Sequence, residues 1–160
     1  MKVHEYKGVL KSGFLPSVKE TNTTYNIDGR RAFTNPEDIA GFMLHEVGLS
    51  DCSDEFVYVL CLNTKCKLIG LFEASHGSTN RSSFPVREIL QKSLMIGSTN
   101  IIIVHNHPSG DCSPSEGDIN ATKRIIDAGK IIDLPVLDHI IVGGNVYFSF
   151  MENNMFEVMQ

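Results

Sequence analysis

The sequence predicts an α/β (α+β) fold with a mixed β-sheet flanked by helices. Runs rich in β-branched and aromatic residues, typical of strands, alternate with stretches whose apolar residues recur at helical spacing. Two pairs of strand-like runs are separated by short turn sequences, which indicates hairpins within the sheet. The chain has 160 residues, of which 42% are hydrophobic and 21% are charged. This composition is typical of a globular domain with its own core and excludes collagen, coiled coil and wholesale disorder.

The first 34 residues are poorly patterned and contain scattered turn residues, so we expect short strands or an extended arm there. We therefore divide the chain into an N-terminal arm, residues 1–34, and one domain, residues 35–160. The arm carries six basic and three acidic residues, which leaves a net charge of −8 on the remainder. A basic arm could contact an acidic partner, but a solvated surface segment is the more economical interpretation.

The first helix is predicted to begin at Asn35-Pro36 and to end at Gly48. Asparagine caps the free amides of a helix start, proline suits the first helical position, and glycine often follows the last turn. The elements that follow up to residue 96 are a strand, a turn, a second strand, a polar loop and a helix: Glu55–Asn63, Asn63-Thr64-Lys65, Lys67–Glu73, Ser75–Ser83 and Pro85–Ile96.

The second half continues with a run of β-branched residues, Asn100–Val104, which indicates a fully buried strand. A loop, His105–Pro114, leads to a helix that we expect to be capped by Ser113 and to run to about Gly129. A hairpin then forms across Gly143-Gly144, and a short helix follows in the tail. The strands of this hairpin and the tail are Val136–Val142, Asn145–Phe150 and Met151–Gln160.

Charge and hydropathy exclude several classes of protein. The net charge of −5 argues against broad electrostatic binding to nucleic acid. The longest apolar run, Phe56–Leu62, is too short to span a membrane, and no secretory signal is visible, so we expect a cytoplasmic protein that does not bind membranes. The four cysteines contain no C-x-x-C pair and are expected to be reduced.

Chemistry is concentrated in the segment 105–118. His105 and His107 are two residues apart at the end of an extended run, so both imidazoles point to the same side. Asp118 lies in the first turn of the next predicted helix, which the intervening tight turn can fold back over the histidines. Two imidazoles and one carboxylate suit zinc, and three protein ligands are typical of a catalytic rather than a structural site. A lone pair of histidines without this context is as often structural as metal-binding.

The segment matches H-x-H-x(7)-S-x(2)-D at His105, His107, Ser115 and Asp118, and so resembles the JAMM (MPN) metallopeptidase superfamily. The strings His-Asn-His-Pro-Ser-Gly and Leu137-Asp138-His139-Ile140-Ile141 resemble its RadC-like branch in particular. The resemblance covers about residues 36–150 and leaves the arm uncovered. It implies a JAMM/MPN sandwich related to the cytidine deaminase fold.

The resemblance also implies a role for each matching residue. His105, His107 and Asp118 would bind Zn²⁺, and Ser115 would donate a hydrogen bond to the tetrahedral intermediate. The superfamily has a glutamate general base at the start of the first core strand, and Glu55 occupies that position. Asp54 and Glu73 are the rivals for this role.

The implied activity is zinc-dependent hydrolysis of peptide or isopeptide bonds, with zinc-activated water and a peptide or protein substrate. The alternative is a non-enzymatic scaffold or DNA-binding protein associated with DNA repair. Nucleic acid is not supported by the charge, and the sequence indicates neither a particular substrate nor an oligomeric state. A zinc deaminase would need H-x-E followed by P-C-x-x-C, which the sequence lacks.

Several other residues receive weaker assignments. Asp138 and His139 either orient a metal ligand or make an ordinary structural hydrogen bond. Candidate substrate contacts follow from their place in or after the loop near the predicted cleft: His76, Ser78 and Arg87. Cys112 lies beside the metal turn and is more simply a spectator, and His4 and His45 look incidental.

Overall fold

A computed structural model describes residues 2–12, 15–27, 33, 35–77 and 84–158. Seven strands form one mixed sheet in the order β2-β1-β4-β3-β5-β6-β7. The pairs β1–β4 and β5–β6 are parallel, and the other neighbours are antiparallel. The strands are β1 Lys2–Lys11, β2 Leu15–Asn26, β3 Glu55–Leu62, β4 Leu68–Gly77, β5 Asn100–Asn106, β6 Val136–Gly143 and β7 Val146–Ser149. The helices are α1 Pro36–Gly41, α2 Val86–Ile96, α3 Glu116–Ile131 and α4 Met155–Val158. The predicted fold class is confirmed.

The sheet buries both of its faces, because alternate residues of β3, β5 and β6 belong to two separate apolar clusters. One face, here called the α1 face, packs against α1 and includes Leu60, Val104 and Ile140. The other, the α3 face, packs against α2 and α3 and includes Val59 and Ile103. Side chains on the two faces are separated by the sheet, so a catalytic group must lie on the same face as its partners.

The N-terminal segment forms longer strands than the sequence indicates. β1 and β2 make an antiparallel hairpin, and β1 joins the rest of the sheet through parallel pairing of His4–Tyr6 with β4. The Tyr6 ring lies over Gly70, where an added Cβ would be 2.5 Å from the Tyr6 ring carbon Cε2. Only Val3 of β1 is buried, which explains why no alternating apolar pattern marks the strand. Residues 28–32 and 34 of the predicted arm lie outside the described residues.

The first helix begins as predicted. The Asn35 side chain accepts a hydrogen bond from the Glu37 amide at 2.9 Å, and Pro36 occupies the first turn. The helix widens into a π-helical segment, Phe42–Glu46, and Gly48 follows with φ +88°. A 3-10 turn, Leu49–Asp51, completes the covering of the α1 face.

Three differences between the predicted and observed element boundaries affect the segments around His76, His105 and Asp118. β4 continues to Gly77 because Ser75–Gly77 pair with the first residues of β3, where a loop was expected. β5 continues to Asn106, so His105 belongs to the strand and not to the loop. Helix α3 is capped by Ser115, whose hydroxyl accepts from the Asp118 amide, so the prediction of a Ser113 cap was wrong.

The last elements are present as predicted, but the turn of the β6–β7 hairpin is Gly144-Asn145, one residue later than expected, because Gly143 still pairs with Val146. A short helix, α4, follows in the tail. Among the helices that the structure describes, none combines the length and apolarity needed to cross a membrane.

Candidate metal centre

The end of β5 delivers the two histidines. Ile101 and Ile103 lie on the α3 face, and His105 continues the same alternation along the strand. His105 is fully buried and pairs in register with Val57 of β3. The His107 side chain is 17% exposed. The two Nε2 atoms are 2.9 Å apart, which confirms that both imidazoles point to the same side.

The start of α3 delivers the carboxylate. Ser115 and Asp118 form a reciprocal capping box: the Ser115 hydroxyl accepts from the Asp118 amide, and Asp118 Oδ2 accepts from the Ser115 amide at 2.8 Å. Asp118 is 3% exposed, and its two oxygens lie 3.4 Å from His105 Nε2 and 3.5 Å from His107 Nε2. The cap therefore fixes the carboxylate at the point where the histidines converge.

This His105–His107–Asp118 group is able to hold a metal ion. The two Nε2 atoms are 2.9 Å apart, and they lie 3.4 Å from Asp118 Oδ1 (His105) and 3.5 Å from Asp118 Oδ2 (His107), which is comparable with the edge of about 3.3 Å expected for a tetrahedron with zinc bond lengths. Imidazole nitrogen and carboxylate oxygen are both ordinary zinc ligands. The donor set thus fits zinc, and the structure brings the three residues predicted as ligands together.

The hydrogen bonds made by the other ring nitrogens leave the Nε2 atoms available. The His107 Nδ1–H donates to the Asp111 carbonyl oxygen at 2.7 Å, and a carbonyl can only accept. His105 Nδ1 lies 2.8 Å from Nε2 of His139, which is itself buried on the same face. His139 Nδ1 lies 2.6 Å from Thr122 Oγ1. Each of the two histidines is thus oriented by a hydrogen bond at the ring nitrogen that faces away from Asp118.

Burial and charge set the protonation of the group. Burial lowers the pKa of His105 to about 3, and it lowers the pKa of His139 well below its usual range. The hydrogen bond to Asp118 raises the pKa of His107. Burial alone would raise the pKa of Asp118, but the contacts to His107, His105 and Ser115 outweigh it and lower that pKa below its usual range. Without a metal, the site therefore favours a negative carboxylate between a neutral His105 and a His107 that tends to keep a proton, and a cation would take the place of that proton.

Glu55 lies on the same face as the histidines. It is 6% exposed, and the β3–β5 register that pairs Val57 with His105 places Glu55 opposite His107. The charge of Glu55 also contributes to the raised pKa of His107. The Glu55 carboxylate therefore lies on the side of the sheet that carries the His105–His107–Asp118 group.

The two rivals of Glu55 lie elsewhere. Glu73 pairs in register with Tyr58, which packs on the α1 face, so the sheet separates Glu73 from the histidines. Asp54 is exposed, and its carboxylate is 3.1 Å from His76 Nε2. The His76 ring in turn stacks on Phe56 of the α1 face.

Ser115 stands at the rim of the group and is exposed. Its hydroxyl donates to Asp118 Oδ2 at 2.7 Å. The same hydroxyl is therefore both a support for the carboxylate and a donor beside the metal position.

The turn between His107 and Asp111 is held against the β6–β7 hairpin. The His107 amide donates to the Val142 carbonyl at 2.8 Å. An added Cβ on Gly143 would lie 2.7 Å from the Gly110 carbonyl oxygen, so only glycine permits this approach. The close packing fixes the Asp111 carbonyl that orients His107.

The weaker assignments separate clearly. His139 contacts His105, whereas the Asp138 carboxylate accepts from Ser149 Oγ and from the Met151 amide and makes no contact with a predicted ligand. Arg87 is exposed on α2 beside Glu88, and Ser78 lies outside the described residues. Cys112 is half-buried as a free thiol, and His4 pairs with Glu20 on the hairpin.

Two contributors escaped the sequence reasoning. Thr122 lies one helical turn after Asp118 on the buried side of α3, and this spacing is the only signal that could have found it. Asn106 lies between the two histidines and hydrogen-bonds to the Phe56 amide and the Asp54 carbonyl, on either side of Glu55. These contacts depend on the pairing of β3 with β5, which no local sequence pattern indicates.

Comparisons with known proteins agree with this geometry. The sequence model of the RadC-like JAB domain matches residues 33–155. The UPF0758 protein of Alkaliphilus metalliredigens is 42% identical over 121 residues, which cover 76% of this chain and 51% of that protein. The UPF0758 protein of Clostridium beijerinckii is 38% identical over 137 residues, which cover 86% of this chain and 59% of that protein. The chain spans about half the length of these curated relatives. The chain belongs to the family of RadC-like JAB domains.

Proposed function

We propose that this chain is a zinc-dependent hydrolase of peptide or isopeptide bonds. The observation that carries the proposal is the convergence of His105 Nε2, His107 Nε2 and the Asp118 carboxylate within 4.8 Å, with Glu55 on the same face of the sheet. Three protein ligands are typical of catalytic zinc sites, which keep a further position for water or substrate.

His105, His107 and Asp118 would hold the ion. Bound zinc supplies a strong local positive charge, which eases deprotonation of water and polarises a substrate carbonyl. The protein contributes the position of the ligands, because each imidazole is oriented by a hydrogen bond at its other nitrogen.

Glu55 would act as the general base and then as the general acid. Its carboxylate takes a proton from the attacking water as the new C–O bond forms, and returns it to the leaving nitrogen as the C–N bond breaks. Burial against β5 holds this carboxylate close to His107 and away from bulk water.

Ser115 would stabilise the oxyanion of the tetrahedral intermediate. Its hydroxyl proton is shared with Asp118 Oδ2, so it must rotate toward the substrate. The exposed position of Ser115 leaves room for this rotation.

A cavity of about 180 Å³ adjoins the His107 turn but opens on the α1 face, because Leu44, Leu49 and Val142 line it. The sheet separates it from Glu55 and Asp118, so the substrate of the proposed reaction would approach from the α3 face and not through this cavity. Its walls come from the segment after α1, from the His107 turn and from the β6–β7 turn: Leu44, Leu49, Cys52, Pro108, Gly110 and Gly144.

The first test is the zinc content of protein purified in metal-free buffer and then supplied with zinc. We expect about one zinc per chain in the wild type and in His45→Ala, which alters an exposed histidine outside the site. His107→Ala and Asp118→Ala should lose the ion while circular dichroism shows that they remain folded. A folded wild-type protein that takes up no zinc would contradict the proposal and favour the scaffold role.

Glu55→Gln separates metal binding from catalysis. It should retain zinc and lose about 10²-fold to 10⁴-fold of the hydrolysis rate on a panel of peptides and isopeptide-linked lysine conjugates. Equal rates in Glu55→Gln and wild type would exclude Glu55 as the base.

A further inference from the structure

We propose that His139 is a positioning residue that fixes His105 in the tautomer required for metal binding, with Thr122 setting the direction of the hydrogen bonds. This inference rests on the proposed metal site. It concerns how the protein prepares the site and not which ion binds.

The direction of the chain of hydrogen bonds follows from its last acceptor. Thr122 Oγ1 lies 2.6 Å from the Asp118 carbonyl oxygen, which cannot donate, so the single hydroxyl hydrogen of Thr122 goes there. Thr122 Oγ1 must then accept from His139 Nδ1 at 2.6 Å. A neutral His139 with its hydrogen on Nδ1 has a free lone pair on Nε2.

The next hydrogen bond of the chain joins His139 to His105, and its direction follows from the free lone pair on His139 Nε2. His139 Nε2, as an acceptor, receives the hydrogen of His105 Nδ1 at 2.8 Å. His105 therefore presents an unprotonated Nε2 toward His107 and Asp118. The chain of hydrogen bonds begins at His105 Nδ1, the ring nitrogen that does not face the metal position, and ends on the backbone carbonyl of Asp118, so two of the three proposed ligands share one support.

The packing around His139 keeps water out of this chain of hydrogen bonds. Phe150 stacks on the His139 ring with centroids 4.7 Å apart, and Phe84 lies edge-on to both His139 and His105. His105, Thr122 and His139 have no measurable exposure. Without His139, the His105 Nδ1–H has no water to replace its acceptor, and the tautomer with hydrogen on Nε2 becomes competitive.

The two histidine ligands differ in their supports. His107 is oriented by a backbone carbonyl, which no substitution of a side chain removes. His105 is oriented by a side chain, so its support can be altered without touching either ligand. This difference makes the inference testable by substitution.

The test combines zinc competition with nitrogen NMR of histidine side chains. His139→Phe removes the acceptor and keeps a ring, His139→Gln offers a side-chain oxygen near the Nε2 position, and Thr122→Val removes the hydroxyl. The control is Ser93→Ala, because Ser93 is equally buried and its hydroxyl also donates to the carbonyl four residues earlier, on α2.

We expect His139→Phe to bind zinc about 10-fold to 100-fold more weakly than wild type, and His139→Gln to recover most of that loss. Thr122→Val should fall between them, and Ser93→Ala should bind like wild type. In the zinc-free protein, the His105 signals should show hydrogen on Nδ1 in the wild type and a shift toward hydrogen on Nε2 in His139→Phe.

The outcomes distinguish this inference from the proposed function. Unchanged zinc affinity together with an unchanged His105 tautomer in His139→Phe would overturn the inference and leave the metal site standing. If His139→Phe does not fold, the same two measurements on Thr122→Val decide. A wild-type protein with hydrogen on His105 Nε2 would also overturn the inference, whereas a failure to bind zinc with the expected tautomer would contradict the proposed function alone.

Discussion

Asn106 hydrogen-bonds to both peptide groups that flank Glu55. Its Oδ1 accepts from the Phe56 amide at 2.8 Å, and its Nδ2 donates to the Asp54 carbonyl at 2.9 Å. Asn106 is buried, so these bonds are not exchanged with water. The side chain thereby extends the β3–β5 pairing beyond Val57 and holds Glu55 opposite His107.

Replacing Asn106 with leucine should loosen this end of β3 without removing a proposed metal ligand. Two buried hydrogen bonds are lost, so we expect the free energy of unfolding to fall by about 2–4 kcal/mol. Amide hydrogen exchange of Phe56 should accelerate at least about tenfold, while that of Val59, in the middle of β3, changes only by the global loss of stability.

The matched control is Asn100→Leu, because Asn100 and Asn106 are the first and last residues of β5. The Asn100 amide contacts Asn63 and Thr99 far from the site. Both variants should retain zinc, but only Asn106→Leu should slow hydrolysis, because a small misplacement of a catalytic group is costly. Equal effects of the two variants on hydrolysis would contradict the conclusion that Asn106 holds Glu55 in position.

Zinc should stabilise the folded protein through Asp118. At a free zinc concentration of 100 times Kd, linkage adds about 2.7 kcal/mol, which raises Tm by about 5–10 °C for a chain of this size. Asp118→Asn keeps the side-chain volume but removes the negative charge, so its Tm should not respond to zinc. Asp127→Asn, an exposed position on the same helix, should respond like wild type. Calorimetry with and without chelator measures the difference, and a zinc response in Asp118→Asn would argue against the carboxylate as a ligand.

Gly143→Ala should disturb the metal centre from a distance. The new methyl group would meet the Gly110 carbonyl, so the turn that carries Asp111 must move. We expect a loss of about 1–3 kcal/mol in the free energy of unfolding. Zinc binding should also weaken, because the Asp111 carbonyl that orients His107 moves with the turn. Gly144→Asn is the control, since its Cβ meets nothing within 4 Å and asparagine tolerates the positive φ of +57°. Normal zinc affinity in Gly143→Ala would show that the turn adapts without cost to the site.

Asp138 should make the stability of the zinc-free protein depend on pH. Burial raises the pKa of Asp138 to about 6, so between about pH 4 and pH 6 the folded state binds more protons than the unfolded chain. Its contribution to stability is therefore complete at low pH and is lost as the pH rises through 6. Relative to wild type, Asp138→Asn should gain up to about 3 kcal/mol between pH 4 and pH 7. Urea unfolding with chelator present measures this, with Asp133→Asn as an exposed control, and parallel curves for wild type and Asp138→Asn would contradict it.

The group that could hold a metal ion could be predicted from the sequence because its three residues lie within one short segment. The positions of His105 and His107 follow from the period of a strand, and Asp118 follows from a nearby helix start. Glu55 required the family resemblance, and its proximity to His107 depends on pairing between strands fifty residues apart. His139 and Thr122 depend in the same way on the neighbouring strand and helix, which no local pattern shows.

Errors in the fold prediction have local causes. Ser113 and Ser115 each precede an acidic residue by three positions, and only the hydrogen bonds of the folded chain select Ser115 as the cap. The long β1–β2 hairpin was underestimated because most of its side chains are exposed on both faces, so the apolar alternation that marks a strand is missing.

The packing of Tyr6 on Gly70 attaches the N-terminal hairpin to β4 and so determines which strand forms the edge of the sheet. Without the hairpin, β4 would be the outermost strand. Its apolar residues and unpaired peptide groups would then be available for β-pairing with another chain. The hairpin transfers that edge to β2, where Pro16 interrupts hydrogen bonding and Lys19 and Glu20 place charge along the strand. The N-terminal residues thus shield the edge of β4 from strand-to-strand association with other copies of the chain.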